Sequence, residues 1–157
     1  MSDLVIAIDV SRDGVTVIAV VGVEEHVLKS SSFLYLTSWA KHYREIPSHR
    51  KNSYMKRFPA RFSKILPLLS LVRIYLTVDD VKQVLQTRKP VLVLIDDKLV
   101  KHVENTLTNI LIIPEKNIKY KHHEVLITLA DNLANYFRVL LNTNPRKLRK
   151  ELEKFEK

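Results

Sequence analysis

Two aspartates that end apolar segments are the residues of this sequence best placed to do chemistry. Asp9 lies in the apolar run 4–10 (LVIAIDV), and Asp96 directly follows the run 91–95 (VLVLI). A carboxylate at the end of a buried strand costs free energy unless it is paired, caps a turn or binds a cation. Each aspartate could therefore simply cap the turn that follows it. If the two strands lie side by side and parallel, however, both carboxylates reach the edge of the sheet where ligands bind.

That second arrangement predicts a divalent metal site. Mg²⁺ prefers a few carboxylates together with water, and two such ions about 3.5–4 Å apart can clamp a phosphodiester during its displacement. Asp97 replaces Asp96 as the ligand if the strand register differs by one residue. The cofactor expected from these residues is Mg²⁺ or Mn²⁺.

The elements that must position these aspartates follow from the apolar patterning. An Asp13-Gly14 turn predicts a hairpin between strands 4–10 and 15–23, because both turn residues tolerate positive φ. Thr77 and Asp80 match a capping box that opens a helix to about Thr87. The other predicted elements are a third strand at 26–35, a partly helical insert at 38–58 broken by Pro47 and Pro59, a helix at 60–72 kinked by Pro67, strands at 91–95 and 109–113, and helices at 99–107 and 121–141.

The order of these elements predicts an α/β fold. An antiparallel meander followed by strands that alternate with helices implies a mixed sheet, flanked by helices, whose later strands run parallel to the first. We expect a single domain over residues 1–144, with a basic insert at 38–61 and a charged C-terminal tail at 145–157.

A third aspartate enters through a resemblance. The first strand with its Asp9 and immediate hairpin, the later strand ending in Asp96, and the helical segment 128–135 (TLADNLAN) together resemble the ribonuclease H-like superfamily over residues 4–138. The resemblance implies a mixed five-stranded sheet and two-metal phosphodiester cleavage, with Asp9, Asp96 and Asp131 as catalytic metal ligands. Ribonucleases H also carry a glutamate on their first helix, and this sequence departs from that pattern, because Glu45, the only acid in the corresponding stretch, lies inside the basic insert and is poorly placed. By helical geometry Asp131 lies on the flank of the apolar stripe, so an exposed aspartate is the alternative.

The basic residues favour nucleic acid as a partner. The formal charge is +9, and the segment 41–61 contributes seven basic residues against Glu45 alone, while the tail contributes six against three acids. Concentrated positive charge binds polyanions through counterion release. Aromatic side chains interleave with these cations, which suits single-stranded or distorted nucleic acid, although Phe58 and Phe62 could instead anchor the segment to the core. The candidate nucleic-acid-binding residues are Arg44, Arg50, Lys51, Lys56, Arg57 and Arg61.

Composition excludes several other classes of site. The chain has no cysteine, which excludes disulfides, thiolate zinc sites and cysteine nucleophiles. Its two glycines, Gly14 and Gly22, are too few for a phosphate-binding P-loop or Rossmann turn. We expect no membrane segment, because no apolar run reaches about 20 residues. We also expect a cytoplasmic location, and the composition suits a thermophile. His122 and His123 could act as bases or ligands, but paired surface histidines are more often inert.

We therefore expect a metal-dependent nuclease or nucleic-acid-processing domain. The alternative is a non-catalytic domain of the same fold that binds nucleic acid or protein through a degenerate site. The basic tail could also dock a partner protein, and the chain could form a homodimer. The choice between DNA and RNA stays open at this point.

Overall fold

A computed structural model describes residues 3–105, 107 and 109–157 as an α/β fold with a mixed five-stranded sheet. The strand order is β3-β2-β1-β4-β5, with β1–β2 and β2–β3 antiparallel and β1–β4 and β4–β5 parallel. The strands are β1 (Leu4–Asp13), β2 (Val15–Glu24), β3 (Leu71–Tyr75), β4 (Leu92–Ile95) and β5 (Leu111–Pro114). The helices are α1 (Glu25–Leu28), α2 (Ser31–Leu36), α3 (Ser48–Ile65), α4 (Val78–Arg88), α5 (Val100–Val103), α6 (Lys121–Thr143) and α7 (Leu148–Phe155). The mixed sheet with flanking helices confirms the predicted fold class.

The first hairpin forms where the sequence predicts it. Asp13 pairs with Val15 across the turn, and Gly14 between them has φ of +78°. Glycine suits this position because an L side chain is strained at such a φ. A Cβ atom at Gly14 would also lie 3.2 Å from Oδ1 of Asn142.

The predicted third strand at 26–35 is wrong. This segment forms α1 and α2 instead, and Ser30 caps α2 by accepting a hydrogen bond from the Phe33 backbone N–H at 3.2 Å. Leu28 and Phe33 are buried, so helical turns satisfy the same apolar residues that also fitted a loose strand pattern. The third strand of the sheet is β3, which begins inside the segment 60–72 that we predicted as helix.

The predicted insert is more regular than expected. Pro47 precedes α3, but Pro59 lies inside this helix, which continues to Ile65. The prediction of a break at Pro59 is therefore wrong, because Phe58 and Phe62 pack on the core on either side of it and are fully buried. Their role as hydrophobic anchors is confirmed.

The other predicted helices and strands differ mainly in length. Thr77 caps α4 as predicted, and its hydroxyl contacts Asp80 Oδ2 at 2.9 Å. The predicted helix 99–107 is reduced to a 3₁₀ turn, Asp97–Leu99, followed by α5. Met1, Ser2, Thr106 and Thr108, on which parts of the predictions rest, lie outside the described residues. Within the part of the chain that is described, each helix is too short or too polar to cross a bilayer.

The sheet buries two apolar faces, as its near-continuous apolar strands require. Val5 and Ala7 of β1 pack on one face together with α3 and α6, whereas Ile6 and Ile8 pack on the opposite face toward α4 and α5. Ala130 and Ala134 of α6 are fully buried in the first of these clusters. Their small side chains allow α6 to approach the sheet closely.

The segment 145–157, which we placed outside the domain as a charged tail, packs on the body of the protein. It forms a 3₁₀ turn and α7, and Phe155 contacts Phe62, Tyr136 and Phe137 in the core. Lys157 exchanges two backbone hydrogen bonds with Val72 of β3, at 2.9 and 3.1 Å. The C-terminal residues therefore pair with the β3 edge of the sheet.

Replacing Phe155 with alanine tests this packing. We expect Phe155→Ala to lower the free energy of unfolding by about 3–5 kcal/mol, because removal of the aromatic ring leaves a cavity among three other rings. Phe155→Leu should cost about 1.5 kcal/mol or less, since it keeps most of the apolar volume. Urea unfolding followed by circular dichroism measures both, and a loss below about 1 kcal/mol for the alanine variant would show that the C-terminal helix is not part of the core.

Candidate metal centre

Three acidic residues lie at one level of the sheet, directly after the last paired residues of its parallel part, although β1 itself continues to Asp13. Ile8 of β1 pairs with Ile95 of β4, and Ile95 pairs with Pro114 of β5. The next residue along the chain is Asp9 after Ile8, Asp96 after Ile95 and Glu115 after Pro114. One oxygen from each of these carboxylates lies within 4.8 Å of the others.

All three side chains belong to the face of the sheet that carries α6. Side chains alternate between the two faces along a strand, and Ala7, Leu94 and Ile113 belong to the core on the α6 side. The acids that follow two positions later therefore face α6 as well. They line a recess of about 190 Å³, whose walls also include Ser11, Arg12, His42, Tyr43, Arg44, Lys98, Asp131 and Asn135.

Asp131 of α6 reaches this recess from the opposite side. Its Oδ2 accepts a hydrogen bond from the Tyr43 backbone N–H at 2.8 Å, and its Oδ1 accepts one from the Asn135 side-chain amide at 3.2 Å. The three predicted site residues Asp9, Asp96 and Asp131 therefore line one recess. Asp131 is nevertheless not a member of the group of mutually close carboxylates, in which Glu115 is the third.

Electrostatic repulsion and burial act together on the central aspartate. The pKa of Asp9 is raised well above its ordinary value of 3.8, first by burial, then by its hydrogen bond to Asp96 and by the charges of Asp131, Asp96 and Glu115. Burial also raises the pKa of Glu115, and the nearby charges of His42 and Arg44 offset part of that rise. A cation placed among these groups would reverse the unfavourable energy that raises both pKa values.

Asp96 caps the turn that follows it and also belongs to the group of three carboxylates, so the two interpretations of this residue do not exclude each other. Its Oδ1 accepts a hydrogen bond from the Lys98 backbone N–H at 2.8 Å and so caps the following 3₁₀ turn. Asp9 similarly accepts from the Val10 backbone N–H at 2.9 Å. Asp97 is exposed and accepts from the Lys116 backbone N–H at 3.3 Å, outside the carboxylate group.

His42 is a buried residue of the recess that our sequence predictions missed. Its Nε2 lies 2.9 Å from Glu124 Oε1 and 3.2 Å from Thr128 Oγ1, both on α6, and its Nδ1 lies 3.9 Å from Glu115 Oε2. His42 thus bridges α6 and the end of β5. Its partners are distant in the sequence, so spacing along the chain gave no signal for it.

Arg138 holds the part of the recess that Ser11 and Asn135 form. It is buried, and its Nε donates a hydrogen bond to Ser11 Oγ at 2.7 Å, while Ser11 Oγ donates to Asn135 Oδ1 at 2.9 Å. Nη1 of Arg138 lies 3.5 Å from Asp13. Because Asn135 also holds Asp131, this network connects the end of β1 to the aspartate of α6.

The other predicted candidates lie elsewhere. At the start of α6, His122 stacks on the Tyr120 ring and His123 meets that ring edge-on, and burial lowers the pKa of each histidine. Glu45 lines a neighbouring cavity, and neither it nor the histidine pair lines the carboxylate recess.

Four of the six predicted nucleic-acid-binding residues line the two cavities, and the other two line neither. Arg44 lines the recess, whereas Arg50, Arg57 and Arg61 line the neighbouring cavity. Lys51 lies over the Tyr43 ring at 4.5 Å from its centroid, and Lys56 is exposed.

Comparison of the chain with models of known protein families and with curated proteins finds no match.

Replacing Asp9 with asparagine should stabilise the protein at neutral pH. A carboxyl group whose pKa is raised by folding favours the folded state while it is protonated, and that contribution disappears as the pH rises through the raised pKa. An asparagine side chain would keep the hydrogen-bond geometry without the charge. We expect Asp9→Asn to raise the Tm at pH 7 by several degrees, since 1 kcal/mol corresponds to about 2–4 °C at this chain length.

The pH dependence and a neighbouring variant provide the controls. The gain should shrink toward pH 4, where the Asp9 carboxyl of the wild type is protonated as well. Asp97→Asn changes the adjacent, exposed acid and should leave the Tm nearly unchanged at both pH values. Thermal unfolding in EDTA measures these effects, and an Asp9→Asn variant that is less stable than wild type at pH 7 would contradict the electrostatic cost assigned to Asp9.

Proposed function

We propose that this protein is a ribonuclease H-like, metal-dependent nuclease. The observation that carries the proposal is the alignment of Asp9, Asp96 and Glu115 where the parallel pairing of β1, β4 and β5 ends, with oxygens within 4.8 Å of one another. Asp131 faces them from α6 and raises the pKa of Asp9. The mixed five-stranded sheet agrees with the architecture that the resemblance implies.

The donor set fits Mg²⁺ or Mn²⁺. Both are hard cations that prefer carboxylate oxygens and retain part of their water. Asp9, Asp96 and Glu115 would hold the cation, with Asp131 beside them, and the raised pKa of Asp9 indicates that positive charge would be favourable there. Such a cation supplies Lewis-acid chemistry, which neutralises the charge that develops on a phosphodiester during cleavage.

Basic residues around the acidic recess would orient the nucleic-acid backbone. Arg12, Arg44 and Lys98 line its walls next to the carboxylates. Guanidinium and ammonium groups in this position donate charge-assisted hydrogen bonds to phosphate oxygens. They also offset the repulsion between the phosphate and the acidic group.

The network around Asp131 would hold the recess in shape. The Tyr43 backbone N–H and the Asn135 amide fix its carboxylate, and His42 joins Glu115 to α6. These groups act on the position of the carboxylates, so they are positioning residues in this proposal. The rival function is a non-catalytic domain on the same fold, for which binding would occur without cleavage.

A cleavage assay tests the proposed activity. Fluorescent DNA and RNA substrates, single-stranded and duplex, should be cut in Mn²⁺ or Mg²⁺ and left intact in EDTA. We expect Asp9→Asn, Asp96→Asn and Glu115→Gln each to lower the rate about a hundredfold or more, the scale of losing one electrostatic contact to a transition state. Asp97→Asn and Asp79→Asn, at exposed acids outside the recess, should retain the wild-type rate.

Thermal unfolding gives a second readout that does not require activity. Mn²⁺ should raise the Tm of the wild type, because a ligand that binds the folded state stabilises it by mass action, and the increase should be absent in Asp9→Asn. Cleavage that persists in EDTA, or that Asp9→Asn retains, would refute the nuclease proposal. A Tm increase without cleavage of any substrate would favour the non-catalytic alternative.

A further inference from the structure

A second cavity lies next to the carboxylate recess, on the other side of the chain segment that carries Lys41 and Tyr43. It has a volume of about 540 Å³, within the roughly 300–1,000 Å³ range of small-ligand sites. Its lining includes four basic residues, Lys41, Arg50, Arg57 and Arg61, and one acid, Glu45, so the cavity carries a net positive charge. Trp39 and Tyr54 line it as well.

Three of the four cations of this cavity form one stripe along α3, and the fourth, Lys41, precedes the helix. Arg50, Arg57 and Arg61, with Tyr54 between them, follow the spacing of one helical face. The buried face of α3, with Phe58 and Phe62, points to the core instead. Three guanidinium groups in a row along a helix are suited to hydrogen bonding with phosphate oxygens.

Aromatic rings accompany these cations. The ring centroids of Trp39 and Tyr54 are 6.1 Å apart, and the Arg61 guanidinium carbon lies 5.5 Å from the centroid of Trp39. The Trp39 Nε1–H donates to the Leu36 carbonyl at 2.7 Å, which fixes the orientation of the indole. An unpaired nucleotide binds to such a pair of groups, because the cations contact its phosphate and the aromatic rings stack on its base.

The cavity and the carboxylate recess share a wall. The Tyr54 hydroxyl hydrogen-bonds to Asn132 of α6 and accepts from the Lys41 backbone N–H at 3.0 Å. Asn132 donates to the Lys41 carbonyl at 2.8 Å, and Tyr43, two residues on, donates to Asp131. A nucleic-acid strand that enters the cavity would therefore lie beside the acidic residues.

We propose that this cavity binds an unpaired nucleotide of a single-stranded nucleic acid, so that the substrate is a single strand or a duplex with an unpaired extension. This inference rests on the proposed nuclease function and names its substrate class. Arg50 and Arg57 contact the phosphate, and the rings of Trp39 and Tyr54 contact the base. A blunt duplex keeps its bases paired and reaches only the arginine side chains at the rim.

Trp39 gives a direct readout because it is the only tryptophan of the chain. In EDTA, where no cleavage occurs, titration with oligothymidylate or oligouridylate is expected to quench Trp39 emission, with the same Kd as fluorescence anisotropy of a labelled strand. Heparin, a polyanion without bases, should compete for binding without quenching. A blunt duplex should bind without quenching as well.

Two adjacent residues of α3 provide a matched pair of variants. Both side chains are exposed, but Arg57 lines the cavity, whereas Lys56 does not and, by helical spacing, lies off the stripe. Arg57→Gln should weaken single-strand binding about tenfold and lower the slope of log Kd against log salt concentration by about one. Lys56→Gln removes the same formal charge and should change the affinity less than about twofold, because its charge lies outside the cavity and solvent and salt screen it from the bound phosphate.

The outcomes separate this inference from the nuclease proposal. Single-strand binding that leaves Trp39 emission unchanged, equal losses for Arg57→Gln and Lys56→Gln, or equal quenching by blunt duplex would each overturn the nucleotide site. Metal-dependent cleavage together with any of these results refutes the cavity assignment alone. Quenching and the Arg57 effect without cleavage in Mn²⁺ support the cavity assignment and refute the nuclease proposal alone.

Discussion

Three carboxylates lie side by side because β1, β4 and β5 run parallel in a register that brings all three acids to one level. The pairing Ile8–Ile95–Pro114 places the next residue of each strand at the same edge, and strand alternation turns each toward α6. A shift of one residue in any of the strands would turn its acid toward the opposite face. The apolar residues that precede the acids fix this register, because they must fill the cores on both sides of the sheet.

The protein offsets only part of the electrostatic cost of this arrangement. Backbone N–H groups of Val10, Lys98 and Tyr43 donate to Asp9, Asp96 and Asp131. Such charge-assisted hydrogen bonds favour the ionised form. The pKa of Asp9 is nevertheless raised, so burial and like charges outweigh these donors. Uncompensated repulsion of this kind, held in place by a well-packed core, is typical of functional sites, and these three carboxylates could hold a cation that relieves it.

Sequence patterns predicted the part of the site that depends on local order. Asp9 lies near the end of one recognisable apolar segment and Asp96 directly follows another, so their places beside each other could be inferred. Glu115 was not predicted, because Pro114 separates it from the predicted strand 109–113, so it does not directly follow the apolar residues. His42 was not predictable, because it contacts Glu115 and α6 through tertiary packing alone. The prediction of the third strand was wrong for a related reason. The short apolar segment 26–35 fits both helical and extended spacing, and only its packing on the core distinguishes the two.

The chain segment between α2 and α3 links the two candidate sites physically. Its residue His42 contacts Glu115 and Glu124, the neighbouring Tyr43 donates to Asp131, and Lys41 is bonded on both its N–H and its carbonyl side by Tyr54 and Asn132. The same few residues therefore form one wall of the acidic recess and one wall of the basic cavity. Displacing this segment would disturb the Asp131 carboxylate and the Tyr54 ring together. For this reason we expect the binding of a nucleic-acid strand in the cavity and the geometry of the carboxylates to depend on each other. This dependence requires no movement of the β-sheet.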